Sequence, residues 1–254
     1  MLILISPAKT LDESPTSLER ATEIPFPKET QQLVRVLRKF DADSMAKLMD
    51  ISEKIAKLNR ERFLSFAKEF TPENSKQALL MFKGEVYLGF DLAKYGAEEY
   101  EFAQKYLRIL SGLYGLLRPL DSIQPYRLEM GRNIETSKGK SLYEFWGDKI
   151  TTALNKSLAA TASNLVINLA SQEYFAAINP QKVKGKILTI SFKDNKNGLL
   201  KIISFNAKKM RGLMANHIIV HKLTSPESLK SFVENGYAWR EDLSNEREWV
   251  FVKE

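Results

Sequence analysis

Short apolar runs and longer amphipathic segments alternate along the chain. Residues 2–5 are uninterruptedly apolar and end at Ser6-Pro7, the pattern of a strand buried on both faces of a parallel sheet. Residues 165–169 form a second run of this kind. Residues 29–40 and 43–70 instead carry apolar positions at helical spacing with charged outer faces, which predicts amphipathic helices.

Residues 186–205 give the clearest local pattern. Two strand-like runs, 187–192 and 199–205, flank a turn containing Asn197-Gly198, and this dipeptide supplies the positive φ angles of a tight hairpin. A helix is predicted over residues 207–223. Helices and strands alternate irregularly and no repeat or linker divides the chain. We therefore expect a single α/β (mixed α+β) domain over residues 1–254, with a mixed sheet and surrounding helices.

Composition narrows the class of protein. Of the 254 residues 44% are hydrophobic and 27% charged, as in an average globular domain, and there is no cysteine, which excludes disulfides and thiolate metal sites. The N-terminal apolar run is too short for a signal peptide, and no stretch reaches the roughly 20 apolar residues that span a bilayer. We expect a cytoplasmic protein without membrane contact.

The positive charge is concentrated in one segment. Residues 182–222 hold ten basic residues and one acidic residue, a net charge of +9, whereas the whole chain carries +7 and the remainder therefore −2. Such a block suits phosphate binding, and Lys201, Lys208, Lys209 and Arg211 are its candidate contacts. A solvated face of an ordinary basic protein is the alternative.

A glycine-bracketed turn follows a helical pattern over residues 101–110. Gly112 and Gly115 would join this helix to a second one, which resembles the helix-hairpin-helix of DNA-binding proteins, although two residues rather than one separate the glycines. Glycines allow close approach of a phosphate to backbone N–H groups, and Arg118 and Arg127 would add charge. The alternative is a glycine turn within the core.

Polar residues also follow both buried runs. Lys9 lies just after the first run, and Asn168, Ser171, Glu173 and Tyr174 lie at the end of the second. Because ligands bind at the carboxyl ends of strands in open α/β sheets, these residues are candidate catalytic or binding groups for a small phosphorylated or carboxylated metabolite. An exposed loop lysine and helix capping by Ser171 are the competing interpretations.

The two histidines, His217 and His221, stand four residues apart on one predicted helix. This spacing can bind a metal, but no carboxylate lies between them and residues 218–220 are apolar. We expect a structural role, no metal site and no cofactor.

Seven stretches of the chain, taken together, resemble the bacterial YaaA family of peroxide stress resistance proteins. They are residues 1–12 (MLILISPAKTLD), 82–87 (FKGEVY), 110–121 (LSGLYGLLRPLD), 125–131 (PYRLEMG), 145–148 (FWGD), 168–175 (NLASQEYF) and 201–214 (KIISFNAKKMRGLM).

The resemblance implies a cytoplasmic protein that protects against hydrogen peroxide and is associated with limiting free intracellular iron. It further implies one compact domain with a basic cleft that binds double-stranded DNA through a helix-hairpin-helix-like element. The hairpin would correspond to residues 111–118, and the basic strand and helix to Lys201, Lys208, Lys209 and Arg211. No enzymatic activity is implied.

Overall fold

A mixed eight-stranded sheet forms the centre of the molecule in the computed structural model, which describes residues 1–254. The strands of the chain are Leu2–Ile5 (β1), Thr10–Leu11 (β2), Lys76–Gln77 (β3), Phe82–Lys83 (β4), Leu107–Ser111 (β5), Gly115–Leu117 (β6), Ser122–Ile123 (β7), Leu165–Asn168 (β8), Lys186–Lys196 (β9), Leu199–Lys201 (β10), Tyr237–Arg240 (β11) and Glu248–Lys253 (β12). The main sheet has the order β11-β12-β9-β8-β1-β5-β6, and β10 pairs with the end of β9.

The five inner strands, β12, β9, β8, β1 and β5, run parallel, and β11 and β6 close the two sides in antiparallel pairing. β1 lies between β5 and β8, with Ile3 opposite both Leu107 and Ile167. All four β1 side chains are fully buried, as its uninterrupted apolar sequence predicts. The carboxyl ends of these strands therefore meet at one edge of the sheet.

Nine α-helices surround the sheet. They are Pro27–Leu37 (α1), Ala42–Met49 (α2), Glu53–Ser65 (α3), Ala78–Met81 (α4), Ala97–Tyr106 (α5), Leu142–Trp146 (α6), Lys149–Ala160 (α7), Gln172–Phe175 (α8) and Ser204–Val220 (α9). The expected mixed α/β architecture is confirmed. The turn between β9 and β10 is also as predicted, since Asn197 and Gly198 adopt φ angles of 55° and 81°. The second strand, predicted over residues 199–205, is shorter and ends at Lys201, and α9 begins at Ser204 rather than at residue 207.

The helix-hairpin-helix prediction for residues 111–118 is wrong. The helical pattern ends at Tyr106, where α5 ends, and β5 then runs antiparallel to β6 with every residue of both strands buried. Leu113 and Tyr114 in the turn between them are also fully buried. The apolar run from Leu107 therefore forms an interior hairpin, and the glycines lie within the core, which was the alternative interpretation.

A short turn joins two helices elsewhere in the chain, at α2 and α3. Asp50, in the left-handed conformation at φ 53°, ends α2, and Ser52 is the residue before α3. One residue, Ile51, separates them, as one residue separates the two glycines of the usual helix-hairpin-helix. Sequence reasoning treated residues 43–70 as continuous helical pattern and missed this turn because neither position is a glycine.

Candidate functional site at the carboxyl edge of the sheet

The loops after β1 and β8 are joined directly by Ser6 and Ser171. The backbone N–H of Ser171 donates to Ser6 Oγ at 2.9 Å. The Tyr87 hydroxyl donates to the Ser6 carbonyl oxygen at 3.1 Å and brings the 3-10 turn at Tyr87–Gly89 to the same place. Three separate parts of the chain thus converge at this edge, as expected where parallel strands end.

Glu129 is the centre of charge at the edge and is only 3% exposed. Its Oε1 atom lies 3.2 Å from Lys9 Nζ, 3.0 Å from Arg127 Nη2 and 3.7 Å from Arg132 Nη2. Burial works to raise the pKa of Glu129, but the charges of Arg127 and Lys9 outweigh it, and the net pKa is lowered. Glu129 is therefore an ionised carboxylate that holds three cations together. We call Lys9, Arg127, Glu129 and Arg132 the charged cluster.

Gly112 allows Glu129 to reach this position. A Cβ on Gly112 would stand 2.3 Å from the Leu128 carbonyl oxygen, so only glycine lets the segment before Glu129 lie against the end of β5. Ser111 fixes the same segment, because its Oγ and the Tyr126 hydroxyl are 2.7 Å apart. The glycine predicted to approach a phosphate instead approaches another part of the chain.

Three tyrosines, Tyr87, Tyr126 and Tyr174, lie around the charged cluster. Burial raises the pKa of each of them; nearby tyrosines add to the shift for Tyr87 and Tyr174, and the Glu129 carboxylate adds to it for Tyr126. For Tyr174 the carboxylates of Glu173 and Glu129 raise the pKa further, whereas the Met130 backbone lowers it. All three hydroxyls are therefore protonated donors at neutral pH. The hydroxyl of Tyr174 has no side-chain hydrogen-bond partner, so it can donate to a ligand.

Glu173 lies against the loop that follows Glu129. Its Oε1 accepts from the Gly131 backbone N–H at 3.0 Å, and its carbonyl oxygen accepts from the Tyr143 hydroxyl at 2.8 Å. Ser171 caps the short helix α8 by accepting from the Tyr174 N–H at 3.5 Å. The structure thus brings Lys9, Ser171, Glu173 and Tyr174 to one edge of the sheet.

Asn168 is satisfied within the sheet. Its Nδ2 donates to Thr189 Oγ1 at 3.2 Å, and its Oδ1 accepts from the Ala170 N–H at 3.0 Å. It is buried, with both ends of its amide engaged, so it shapes the turn after β8 rather than facing a ligand.

A second feature, the basic surface, covers the end of β9, β10 and the first turns of α9. We define it by five lysines that form no ion pair, Lys193, Lys196, Lys201, Lys208 and Lys209, of which the last four are exposed. The one acid of the segment, Asp194, is buried and accepts from Asn206 Nδ2 at 2.9 Å and the Tyr237 hydroxyl at 2.7 Å. The five lysines therefore form no ion pair with Asp194, and the other carboxylate at the hairpin, Glu254, accepts from Asn195 Nδ2 at 2.7 Å.

The basic surface and the charged cluster lie at the same edge of the sheet. β8 pairs with β9 only as far as Thr189, whereas β9 continues to Lys196, so its second half projects past the end of β8. α9 follows and packs against the turn that contains Tyr87. The two backbones are so close that a Cβ on Gly212 would lie 1.8 Å from the Val86 carbonyl oxygen. Arg211, next to Gly212, is half-buried with no ion pair, and burial lowers its pKa.

The remaining predicted nucleic-acid contacts have partners within the protein. Arg118 Nη2 lies 2.8 Å from Asp121 Oδ1 and also donates to the Glu23 carbonyl oxygen at 3.1 Å, and Arg127 belongs to the charged cluster. Gly115, at φ 75°, lies against the Trp146 ring, where a Cβ would stand 2.8 Å from a ring carbon. The rings of His217 and His221 lie 4.5 Å apart, and no group of three potential metal-ligating side chains is found in the structure.

Comparison with known proteins identifies the family. The family model described as peroxide stress protein YaaA matches residues 1–243. The UPF0246 protein of Acaryochloris marina (strain MBIC 11017) is 50% identical over 253 residues, which cover all of both chains. The chain belongs to the YaaA family of peroxide stress proteins.

Six of the seven stretches that resemble the YaaA family contribute to this edge of the sheet, among them 82–87, which supplies Tyr87, and 201–214, which supplies three lysines of the basic surface. Residues 1–12 supply β1 and Lys9, 110–121 supply Gly112, 125–131 supply Glu129, and 168–175 supply the α8 region. No helix in the structure combines the length and the apolar character that crossing a membrane requires.

Sequence reasoning missed Glu129, the centre of the site. The available signal was the spacing of Arg127, Glu129 and Arg132, which are the only charged residues between Asp121 and Glu135. This spacing did not point to a site, because the segment is neither strand nor helix. Periodicity therefore does not predict which of its side chains face inwards.

Proposed function

We propose that the protein supports resistance to peroxide by binding duplex DNA with little sequence preference. The observation that carries the proposal is the basic surface, where five lysines without ion pairs lie within one hairpin and the start of one helix. Lysine ammonium groups bind phosphates as point charges, and phosphate contacts carry no direct sequence information, so they favour general over specific binding.

Apolar side chains lie among these lysines. Leu199, Leu200, Ile202 and Phe205 are all exposed, and Phe205 retains 59% of its accessible surface. Proteins that bind the minor groove often insert apolar wedges between base steps beside their phosphate contacts. We include such a wedge, centred on Phe205, in the proposed binding mode.

The α2–α3 pair supports the same function. Ser52 makes no side-chain capping bond, so the N–H groups of the first turn of α3 are free to meet a phosphate. Asp50 and Glu53 flank that turn, and their carboxylates would repel a phosphate. We therefore assign most of the affinity for DNA to the basic surface.

The limitation of free intracellular iron, which the family resemblance implies, enters the proposal as a cellular outcome and not as a binding site. Protecting DNA and lowering free iron would both reduce damage by peroxide. We attribute the first of these effects, protection of DNA, to the basic surface.

Fluorescence anisotropy of a labelled duplex across a salt series tests DNA binding. Five phosphate contacts predict a slope of log affinity against log salt of about −4 to −5. The variant Lys201→Ala/Lys208→Ala/Lys209→Ala should bind more weakly, and its slope should be about 3 units less negative.

The matched control is Lys28→Ala/Lys39→Ala/Lys156→Ala, which removes three exposed lysines without ion pairs from other faces and makes the same change in net charge. The control should retain the slope of the unaltered protein. Equal losses in the two triple variants would show that only overall charge matters and would refute the assigned surface.

A further inference from the structure

We propose that the charged cluster binds the phosphate monoester of a small metabolite, at a site separate from the basic surface. The contacts are assigned to Lys9, Arg132 and the hydroxyl of Tyr174. Glu129 holds the first two in position, and Arg127 stabilises the ionised form of Glu129. This inference goes beyond DNA binding and is independent of it.

The charge balance of the cluster favours an anion. Three cations surround Glu129, so the cluster carries +2, and it remains at +1 when the nearby exposed Glu173 is counted. A phosphate monoester dianion supplies the opposite charge. A cation would be repelled by the excess positive charge.

The burial of Glu129 indicates a preorganised binding site. Its side chain is 4% exposed, and its Oε2 atom is buried without a hydrogen-bond partner. A desolvated and only partly satisfied carboxylate is costly, and the charges of Arg127 and Lys9 keep it ionised. Such an arrangement fixes the ammonium and guanidinium groups in place before a ligand arrives, which lowers the entropic cost of binding it.

Two of the cations retain free donors. The Lys9 side chain is 59% exposed and uses one contact on Glu129, which leaves its other N–H donors for a ligand. Arg132 Nη2 is 3.7 Å from Glu129, beyond hydrogen-bond distance, so its fork of N–H donors is also free. Arg127 is more deeply buried and lies closer to the carboxylate, which suits a positioning role.

Tyr174 adds a neutral donor. Its pKa is raised well above the ordinary value by burial, and so its hydroxyl stays protonated across the physiological range. The backbone of Met130 next to this hydroxyl places it beside the loop between Glu129 and Arg132. Three independent donors match the three terminal oxygens of a phosphate monoester better than the two oxygens of a carboxylate.

Isothermal titration calorimetry with the full chain tests the inference. The probes are inorganic phosphate, ribose 5-phosphate, ribose and acetate. We expect heat from the two phosphate-containing probes and none from ribose. Binding of acetate as tight as that of phosphate would overturn the assignment to a phosphate monoester.

Lys9→Met and Arg132→Gln should each weaken the binding of ribose 5-phosphate by about tenfold or more, since each removes a charge-assisted hydrogen bond. Lys28→Met, which removes an exposed lysine elsewhere, is the matched control and should bind as the unaltered protein does. Lys9 is more than half exposed, so the Lys9→Met variant should fold. If the Arg132→Gln variant does not fold, the Lys9→Met variant alone decides the test.

The two proposals fail independently. Lys9→Met should leave the affinity for duplex DNA unchanged to within about twofold, and the triple lysine variant of the basic surface should leave ribose 5-phosphate binding unchanged. Absence of heat from both phosphate probes at about 10 mM, or unaltered binding in Lys9→Met, would refute the small-ligand site. Displacement of duplex by ribose 5-phosphate would refute the separation of the two sites.

Discussion

Gly212 on α9 lies directly against the carbonyl oxygen of Val86. A Cβ on Gly212 would stand 1.8 Å from that oxygen, and a Cβ on Gly89 would stand 2.4 Å from the Leu213 nitrogen. Two glycines, one on each side, therefore allow the backbones of α9 and of the turn at Tyr87–Gly89 to touch. Tyr87 also donates a hydrogen bond to the Ser6 carbonyl oxygen. The contact between α9 and the turn therefore links the helix of the basic surface to the loop after β1.

We expect Gly212→Ala to destabilise the protein strongly. The added methyl group meets backbone, which cannot rotate away, so α9 must shift, at a cost of about 3 kcal/mol or more. Thermal denaturation measures the loss. Gly96→Ala is the control, since its Cβ would meet only the flexible end of Glu99 at 3.3 Å, and a similar loss in both variants would contradict the role of the contact.

Glu129→Gln should reduce stability by about 2–3 kcal/mol at neutral pH, because it leaves three neighbouring cations without their carboxylate. Urea denaturation measures this change. A gain in stability would show that repulsion within the cluster is smaller than the cost of burying Glu129.

The same carboxylate predicts a dependence on pH. Its folded pKa lies below its unfolded value, so its contribution is fully present above the unfolded pKa and is lost as pH falls through the folded one. The stability of the unaltered protein should therefore fall more steeply than that of Glu129→Gln below about pH 5. Parallel curves for the two proteins would contradict the lowered pKa.

Phe205→Ala should weaken duplex binding by about tenfold without altering the salt slope, because it removes an apolar wedge or stacking contact but no charge. The anisotropy series measures both quantities. Leu88→Ala, which also removes an exposed apolar side chain, should leave the affinity unchanged. A loss in both variants would attribute the effect to general exposure of apolar surface.

Tyr237→Phe should destabilise the protein by about 1–3 kcal/mol, since it removes the 2.7 Å hydrogen bond to the buried carboxylate of Asp194. The remaining partner, Asn206 on α9, cannot satisfy both oxygens. Tyr106→Phe is the control, because the Tyr106 hydroxyl makes no hydrogen bond, and its effect on the urea midpoint should be small.

The sequence predicted those elements whose structure is determined mainly by their own residues. The apolar run of β1 allowed only a buried strand, and Asn197-Gly198 specified the turn between β9 and β10. Residues 107–117 were assigned wrongly because a fully buried strand and a buried helix share the same apolar composition, and periodicity does not separate them. The partner strands β1 and β6 decide between the two.

The candidate site was predictable only in part. Lys9, Ser171 and Tyr174 follow strands, and the rule for strand ends applies to them directly. Glu129 comes from an irregular segment whose position depends on Gly112 accepting a close backbone contact. Such a contact depends on tertiary packing, which leaves no periodic trace in the sequence.

The place of β1 in the sheet bears on how fast the chain folds. The first strand in sequence pairs with β5, about a hundred residues later, and with β8, later still, while β9 pairs with β12 near the other end of the chain. Each of these pairings closes a long loop before any contact energy repays the lost entropy. Refolding from urea should therefore be slow for the size of the protein. During that delay the apolar β1 strand stays unpaired, and we expect intermolecular association to begin there.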